Sequence, residues 1–273
     1  SIERRQAADD AADRDREVAA GLDEGYATLP AIDTLVIGPN PNTSLVEQFR
    51  HLAAALHHAQ LRTGAKTVMV ASAVEAEGKT TTAANLALTL SESHHRRVLL
   101  IDADLRRPSI HSLFQLPNHS GLSETLRDIA PDAAVPLHHF SDRLSIITAG
   151  RPTQDPAGAL VSPMMKQFID EAAGHYDWVV IDTPPVALLS DANLLAAMID
   201  LAVLVVGASR TPYPLVRRAV EALGASKILG VVLNRATRAE LAVGGYGYGY
   251  GYGYSYGETS RPKSRWRLPF RRR

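Results

Sequence analysis

Six short apolar runs constrain this chain more than any other feature. They span residues 67–71, 97–101, 144–148, 178–181, 201–206 and 228–233, and each is rich in Val, Ile or Leu. Runs of this length without polar alternation suit strands buried on both faces. The stretches between them are long enough for the helical crossovers that parallel neighbours require. The expected fold is α/β, an open and mostly parallel sheet with helices on both faces. Ligands of such sheets bind beyond the carboxyl ends of the strands, so the residues just after each run are where chemistry belongs.

The first run leads into Ala73-Val74-Glu75-Ala76-Glu77-Gly78-Lys79-Thr80, then Thr81, Thr82 and a helical stretch over 83–90. A strand, a loop and a helix opening on Gly-Lys-Thr make a phosphate-binding loop. Successive backbone N–H groups over Ala76, Glu77, Gly78, Lys79, Thr80 and Thr81, with the positive end of the helix, would cradle phosphate oxygens. Lys79 would reach the β- and γ-phosphates of ATP and the Thr80 hydroxyl would bind Mg²⁺. Alanine stands at 73 and 76, where such loops often carry glycine. Alanine supplies the N–H but resists positive φ.

Two further runs end in acids. The second closes on Asp102-Ala103-Asp104-Leu105-Arg106-Arg107-Pro108, and the fourth on Asp182-Thr183-Pro184-Pro185. A carboxylate at a strand end beside a phosphate loop is where Mg²⁺ takes a direct or water-mediated ligand. Asp102 and Asp104, two apart, would point the same way from an extended strand end, one holding metal and the other polarising an attacking hydroxyl. Arg106 and Arg107 would either stabilise phosphate charge or pair with acids.

The flanks differ from this body. Residues 1–40 read as a charged linker, 41–240 as the catalytic domain and 241–273 as a flexible tail. Within the domain, 44–57 reads as a helix, with Ser44 as cap, Glu47 completing a capping box, and Leu45, Phe49, Leu52 and Leu56 as its apolar stripe. Tyr246, Tyr248, Tyr250, Tyr252, Tyr254 and Tyr256 alternate with glycine, apart from Ser255. Glycine at every other place removes one face of a strand, so the segment is expected to present its tyrosines on a flexible chain.

From Arg261 onward there are seven basic residues and no acid, so the rest of a chain with formal net charge zero carries −7. The basic end, with Trp266 and Phe270, could meet an anionic membrane, fold over phosphotyrosines, or simply solubilise. There is no cysteine, which excludes a disulfide framework, thiol catalysis and Cys-based zinc sites. No apolar run reaches the ~18 residues of a membrane helix; the nearest, 194–208, is interrupted by Asp200. The pairs His57–His58, His94–His95 and His138–His139 are read as surface histidines, because neighbours on a helix point apart.

Taken together, AVEAEGKT, VLLIDADLRRP, WVVIDTPP and the tyrosine cluster resemble the bacterial tyrosine kinases of capsule and exopolysaccharide chain-length machinery. The resemblance covers about residue 41 to the end of the tyrosine tail. It implies a deviant-Walker P-loop kinase that uses ATP and Mg²⁺ to phosphorylate its own C-terminal tyrosines. By match, Lys79 and Thr80 would bind phosphates and Mg²⁺, Asp102 would bind metal and serve as base, and Asp182 would bind metal through water. Asn234 and Arg235 would contact adenine. Glu47 and Arg50 match two of three positions of a helix that packs copies into a ring; the third is Ala53. Implied partners are a second copy, a transmembrane polysaccharide co-polymerase or an N-terminal membrane part, and a tyrosine phosphatase, at the cytoplasmic face of the plasma membrane. No nucleic-acid partner is expected. Two rivals remain: a positioning or partition ATPase, which usually carries a further lysine near Val74, and a non-catalytic partner of a polysaccharide exporter.

Overall fold

The computed structural model describes residues 35–36, 43–127, 135–186 and 192–237. The charged segment, the tyrosine cluster and the basic terminus lie outside the described residues. The chain divides into two compact units, Ser1–Ala236 and Thr237–Arg273, and the sheet belongs to the first.

Seven strands form one sheet: β1 (Thr67–Ser72), β2 (Val98–Asp102), β3 (His138–His139), β4 (Leu144–Ile147), β5 (Trp178–Asp182), β6 (Leu201–Gly207) and β7 (Ile228–Asn234). Their spatial order is β3-β4-β2-β5-β1-β6-β7. All neighbours run parallel except β3 and β4. Each of the six apolar runs became one strand, ending within about one residue of its expected bounds. The edge strand β3 was not expected, since two residues carry no periodicity. It contains His138 and His139, and the His138 Nε2 is buried without a hydrogen-bond partner, so this pair is not simply a surface one.

Alternate strand residues face two helical layers. Met69, Leu99, Ile101, Val179, Ile181 and Leu204 join Met165 and Ile169 of helix Pro163–His175 and Leu223 of helix Tyr213–Leu223. Val68, Val70, Leu100, Val180 and Val203 join Phe49 and Leu56 of α1 (Thr43–Thr63) and Leu86 of α2 (Lys79–Leu88). At roughly 25 cal/mol per Å² of apolar surface, this two-sided burial is the main force holding the sheet. Asp200, the residue that interrupts the 194–208 run, accepts from the backbone N of Lys66 and Thr67 and from the Thr67 hydroxyl, at 2.8–3.0 Å. It fixes where β1 begins. Among the described residues no helix is long and apolar enough to cross a membrane.

Two helices depart from expectation. α1 starts at Thr43 and runs to Thr63, so Ser44 lies inside it. Glu47 makes a 2.6 Å ion pair with Arg50 rather than reaching back to close a capping box. Its buried residues are Phe49, Ala53, Leu56 and Ala59. α2 begins at Lys79, four residues before the apolar pattern suggested, because Gly78 at φ 89° turns the chain directly into the helix. It passes into a π-helical turn over Thr89–Ser93.

Candidate functional site

β1 lies between β5 and β6, and the chain leaves its carboxyl end through residues 73–78 into α2. The turn places Ala76 at φ 60° and Gly78 at φ 89°. For alanine that conformation costs about 1 kcal/mol. The loop also packs against Asn234 at the end of β7: a Cβ at Gly78 would collide with the Asn234 amide. Asn234 Nδ2 donates to the Glu77 carbonyl at 2.8 Å. Asn234 Oδ1 accepts from the backbone N of Arg235 at 2.8 Å, and Arg235 lines the cleft.

The cleft holds about 300 Å³ and is lined by Ala76, Gly78, Lys79, Thr80, Thr81, Asp104, Arg107 and Arg235, among others. Its charged floor comes from the first residue of α2, the last of β5 and the turn after β2. Lys79 Nζ stands 3.0 Å from Asp182 Oδ1 and 3.4 Å from Asp104 Oδ2, with Lys79 8% and Asp182 0% exposed. Burial acts to lower the lysine's pKa, but the two carboxylates outweigh it and hold the pKa above its ordinary value, so the cation is retained. Burial pushes the Asp182 carboxyl upward even though Lys79 and the nearby Thr80 hydroxyl oppose it. Asp182 Oδ2 is buried and has no hydrogen-bond partner.

Asp102 and Asp182 are register partners on β2 and β5. Asp102 is fully buried, and its oxygens accept from three backbone N–H groups: Asp104 at 3.2 Å, Ser109 at 3.0 Å and Ile110 at 3.0 Å. It thus anchors the turn leading to the short helix Ile110–Leu113. Burial, reinforced by the neighbouring Asp182 charge, pushes its carboxyl up to about 7 against the pull of the Ile110 and Ser109 N–H groups. β2 ends at Asp102; two residues on, Asp104 donates its backbone N–H to Asp102 Oδ1, pairs with Lys79 and lines the cleft. Arg107 pairs with Glu75 across the loop and also lines the cleft, while Arg106 is exposed.

The donor set fits a hard cation. Among the described residues no group of three or more His, Cys, Asp and Glu could hold a metal by itself. A few oxygens, with the unpartnered Asp182 Oδ2 and the cleft-lining Thr80 hydroxyl foremost, suit Mg²⁺, which keeps waters and shares its shell with phosphates. Sequence reasoning did not anticipate the backbone anchors Ser109 and Ile110 or the inward course of the Glu77 carboxylate. A proline at 108 was the signal for a turn there; nothing local signalled the Glu77 contacts. Glu47 and Arg50 lie on α1, about half exposed and paired with each other. Ala53, at the third position of the ring pattern, is buried in the core. The six candidate acceptor tyrosines lie outside the described residues.

Residues 64–242 match a family described as ParA: NUBPL iron-transfer P-loop NTPase. The tyrosine-protein kinase YwqD of Bacillus subtilis (strain 168) is 38% identical over 197 residues, covering 71% of this chain and 82% of that protein. The tyrosine-protein kinase etk of Escherichia coli (strain K12) is 36% identical over 166 residues, but these are only 23% of that protein. The solved kinase domain of Escherichia coli ETK superimposes with a TM-score of 0.66 at 32% identity, covering 80% of this chain and 84% of that one. The ParA match describes a fold that positioning ATPases would share, whereas these relatives are kinases, which decides between those two readings. The chain belongs to the bacterial tyrosine kinases, protein-tyrosine kinases built on a ParA-type P-loop fold.

Proposed function

We propose that this chain is an autokinase that transfers the γ-phosphate of Mg·ATP to Tyr246, Tyr248, Tyr250, Tyr252, Tyr254 and Tyr256 of a neighbouring copy. The observation that carries the reading is the buried, unpartnered Asp182 Oδ2 beside Lys79 at the mouth of the phosphate loop. A buried carboxylate oxygen without a partner is costly, and a bound cation offsets that cost. Thr80 and Asp182 would hold the Mg²⁺, with Asp102, the register partner of Asp182, behind them. When bound, the ion neutralises charge building on the transferring phosphoryl group.

The protein's own part is mainly positioning. Backbone N–H groups from Ala76 to Thr81 orient the phosphates, and Lys79 exchanges its carboxylate partners for phosphate oxygens. Asp104, the acid that lines the cleft, accepts the phenolic proton. The tyrosine oxygen forms a bond to the γ-phosphorus as the bond to the β–γ bridging oxygen breaks, and ADP leaves. Each phosphate brings about −1.5 to −2 charges to the tail, which would push assembled copies apart. The Glu47–Arg50 face of α1 is the proposed contact between copies.

A relative named as the succinoglycan biosynthesis transport protein ExoP of Rhizobium meliloti (strain 1021), 34% identical over 206 residues that make up 26% of that protein, supports a role in polysaccharide export. That role implies a transmembrane co-polymerase or N-terminal membrane part as activator, a phosphatase to reset the tail, and a location at the inner face of the plasma membrane. The test is the intact mass of phosphatase-treated protein before and after Mg·ATP, followed by phosphosite mapping. A ladder of phosphate additions within residues 246–256 is expected. Hydrolysis of ATP without added mass would remove the autokinase reading.

A further inference from the structure

Glu77 precedes the Gly-Lys-Thr of the phosphate loop, yet its side chain points away from the cleft and is 4% exposed. One carboxylate oxygen accepts from the backbone N of Val74 at 2.9 Å, closing a ring within the loop. The other accepts from the backbone N of Gly207 at 2.9 Å, at the end of β6, and from the Thr211 hydroxyl. The Glu77 carbonyl receives the Asn234 amide at the end of β7. These contacts join the loop to its own beginning and to two strand ends.

A buried carboxylate is tolerated when its lone pairs are filled. The three donors here are all uncharged, so hydrogen-bond geometry rather than charge neutralisation keeps the group inside. The loop needs such a brace. It has alanine at 73 and 76, and Ala76 is held at φ 60°.

We propose that Glu77 is a positioning residue for nucleotide binding. It keeps an alanine-bearing phosphate loop in the shape that turns its N–H groups into the cleft. It also locks that loop to the ends of β6 and β7, where Arg235 lines the same cleft. The inference rests on the nucleotide site assigned above, but it does not depend on the tyrosine tail.

Glutamine tests it closely, because Glu77→Gln keeps the shape but replaces one acceptor oxygen with a donor NH₂. Either the Val74 side or the Gly207 and Thr211 side then faces a donor against a donor. Thr211→Val removes a single donor and serves as the gentler second variant, useful if Glu77→Gln folds poorly. The probe is Mg·ADP, with affinity measured by calorimetry alongside the melting temperature of the nucleotide-free protein.

We expect Mg·ADP affinity to fall at least tenfold in Glu77→Gln and about threefold in Thr211→Val. The double variant should lose less than the two single losses combined, since both act on one carboxylate. The nucleotide-free melting temperature should move little in Thr211→Val, which separates positioning from a general loss of stability. Wild-type affinity in both variants, or losses that add fully in the double variant, would overturn the assignment. A wild-type protein that fails to bind Mg·ADP would instead overturn the nucleotide site itself.

Discussion

Replacing Lys79 by methionine removes more than a phosphate ligand. Lys79 is the only cation that pairs with Asp182 and Asp104 among the described ion pairs, and it does so almost wholly out of solvent. Breaking a buried pair by deleting one partner costs about 3–5 kcal/mol, because a charge is left uncompensated. The carboxyl can escape part of that cost by taking up a proton. At pH 7 protonating an acid of unfolded pKa ~3.9 costs about 4 kcal/mol, and at pH 5 only about 1.5 kcal/mol. Those values cap the penalty.

The sign follows from linkage. Burial already raises the Asp182 carboxyl in the wild type against the pull of Lys79; without that cation it titrates higher still, so the variant's folded state holds a proton that its unfolded state has lost. Stability then falls as pH rises through that window. Urea melts of both proteins in EDTA, without nucleotide, should give a Lys79→Met deficit of about 3–4 kcal/mol at pH 7 and about 1.5 kcal/mol at pH 5. A deficit under about 1 kcal/mol at pH 7, or one unchanged at pH 5, would refute the reasoning. The variant should stay folded at neutral pH if total stability lies in the usual ~5–15 kcal/mol range, but its activity must be assayed well below its lowered melting point.

Ala53→Arg restores the third residue of the ring pattern at a fully buried position of α1. It should cost at least about 3 kcal/mol, since an unpaired guanidinium is buried as well as an overpacked side chain, and give no gain in assembly. A stable variant with a larger oligomer by light scattering would contradict the core placement. Asp102, whose carboxyl is pushed up to about 7, takes up a proton on folding between about pH 4 and pH 7, so wild-type stability declines as pH climbs through that window. Asp102→Asn lacks this uptake. Its stability relative to wild type should improve by up to about 4 kcal/mol from pH 4 to pH 7, and a flat difference in paired urea melts would show that Asp102 is ionised throughout.

Much of the site was legible because strand ends are legible. Asp102 and Asp182 each close a run of Val, Leu and Ile, and parallel pairing of β2 with β5 puts such ends at one level. Gly-Lys-Thr after the first run likewise implied the cleft. The limits of the reading were equally physical. Glu47 suggested a capping box from its spacing to Ser44, but an exposed glutamate gains as readily from Arg50 three residues on, and the helix starts earlier. Spacing gave no sign that Asp104 would meet Lys79, because that contact joins the turn after β2 to the start of α2.

From the sequence alone came the α/β class, the six parallel strands, the phosphate loop with Lys79 and Thr80, and the two strand-end acids. All of these depend on local periodicity or on chemistry within one short segment. The tertiary structure alone decided which charges meet. It brought Lys79 between Asp104 and Asp182, left one Asp182 oxygen unpartnered, spent the Asp102 oxygens on the turn before Ile110, and drew Glu77 inward to Gly207 and Thr211. Apart from the Asp102 turn, these partners are separated by 25 to 134 positions along the chain. The order in which the strands are laid side by side determines their contact, and no local pattern encodes that order.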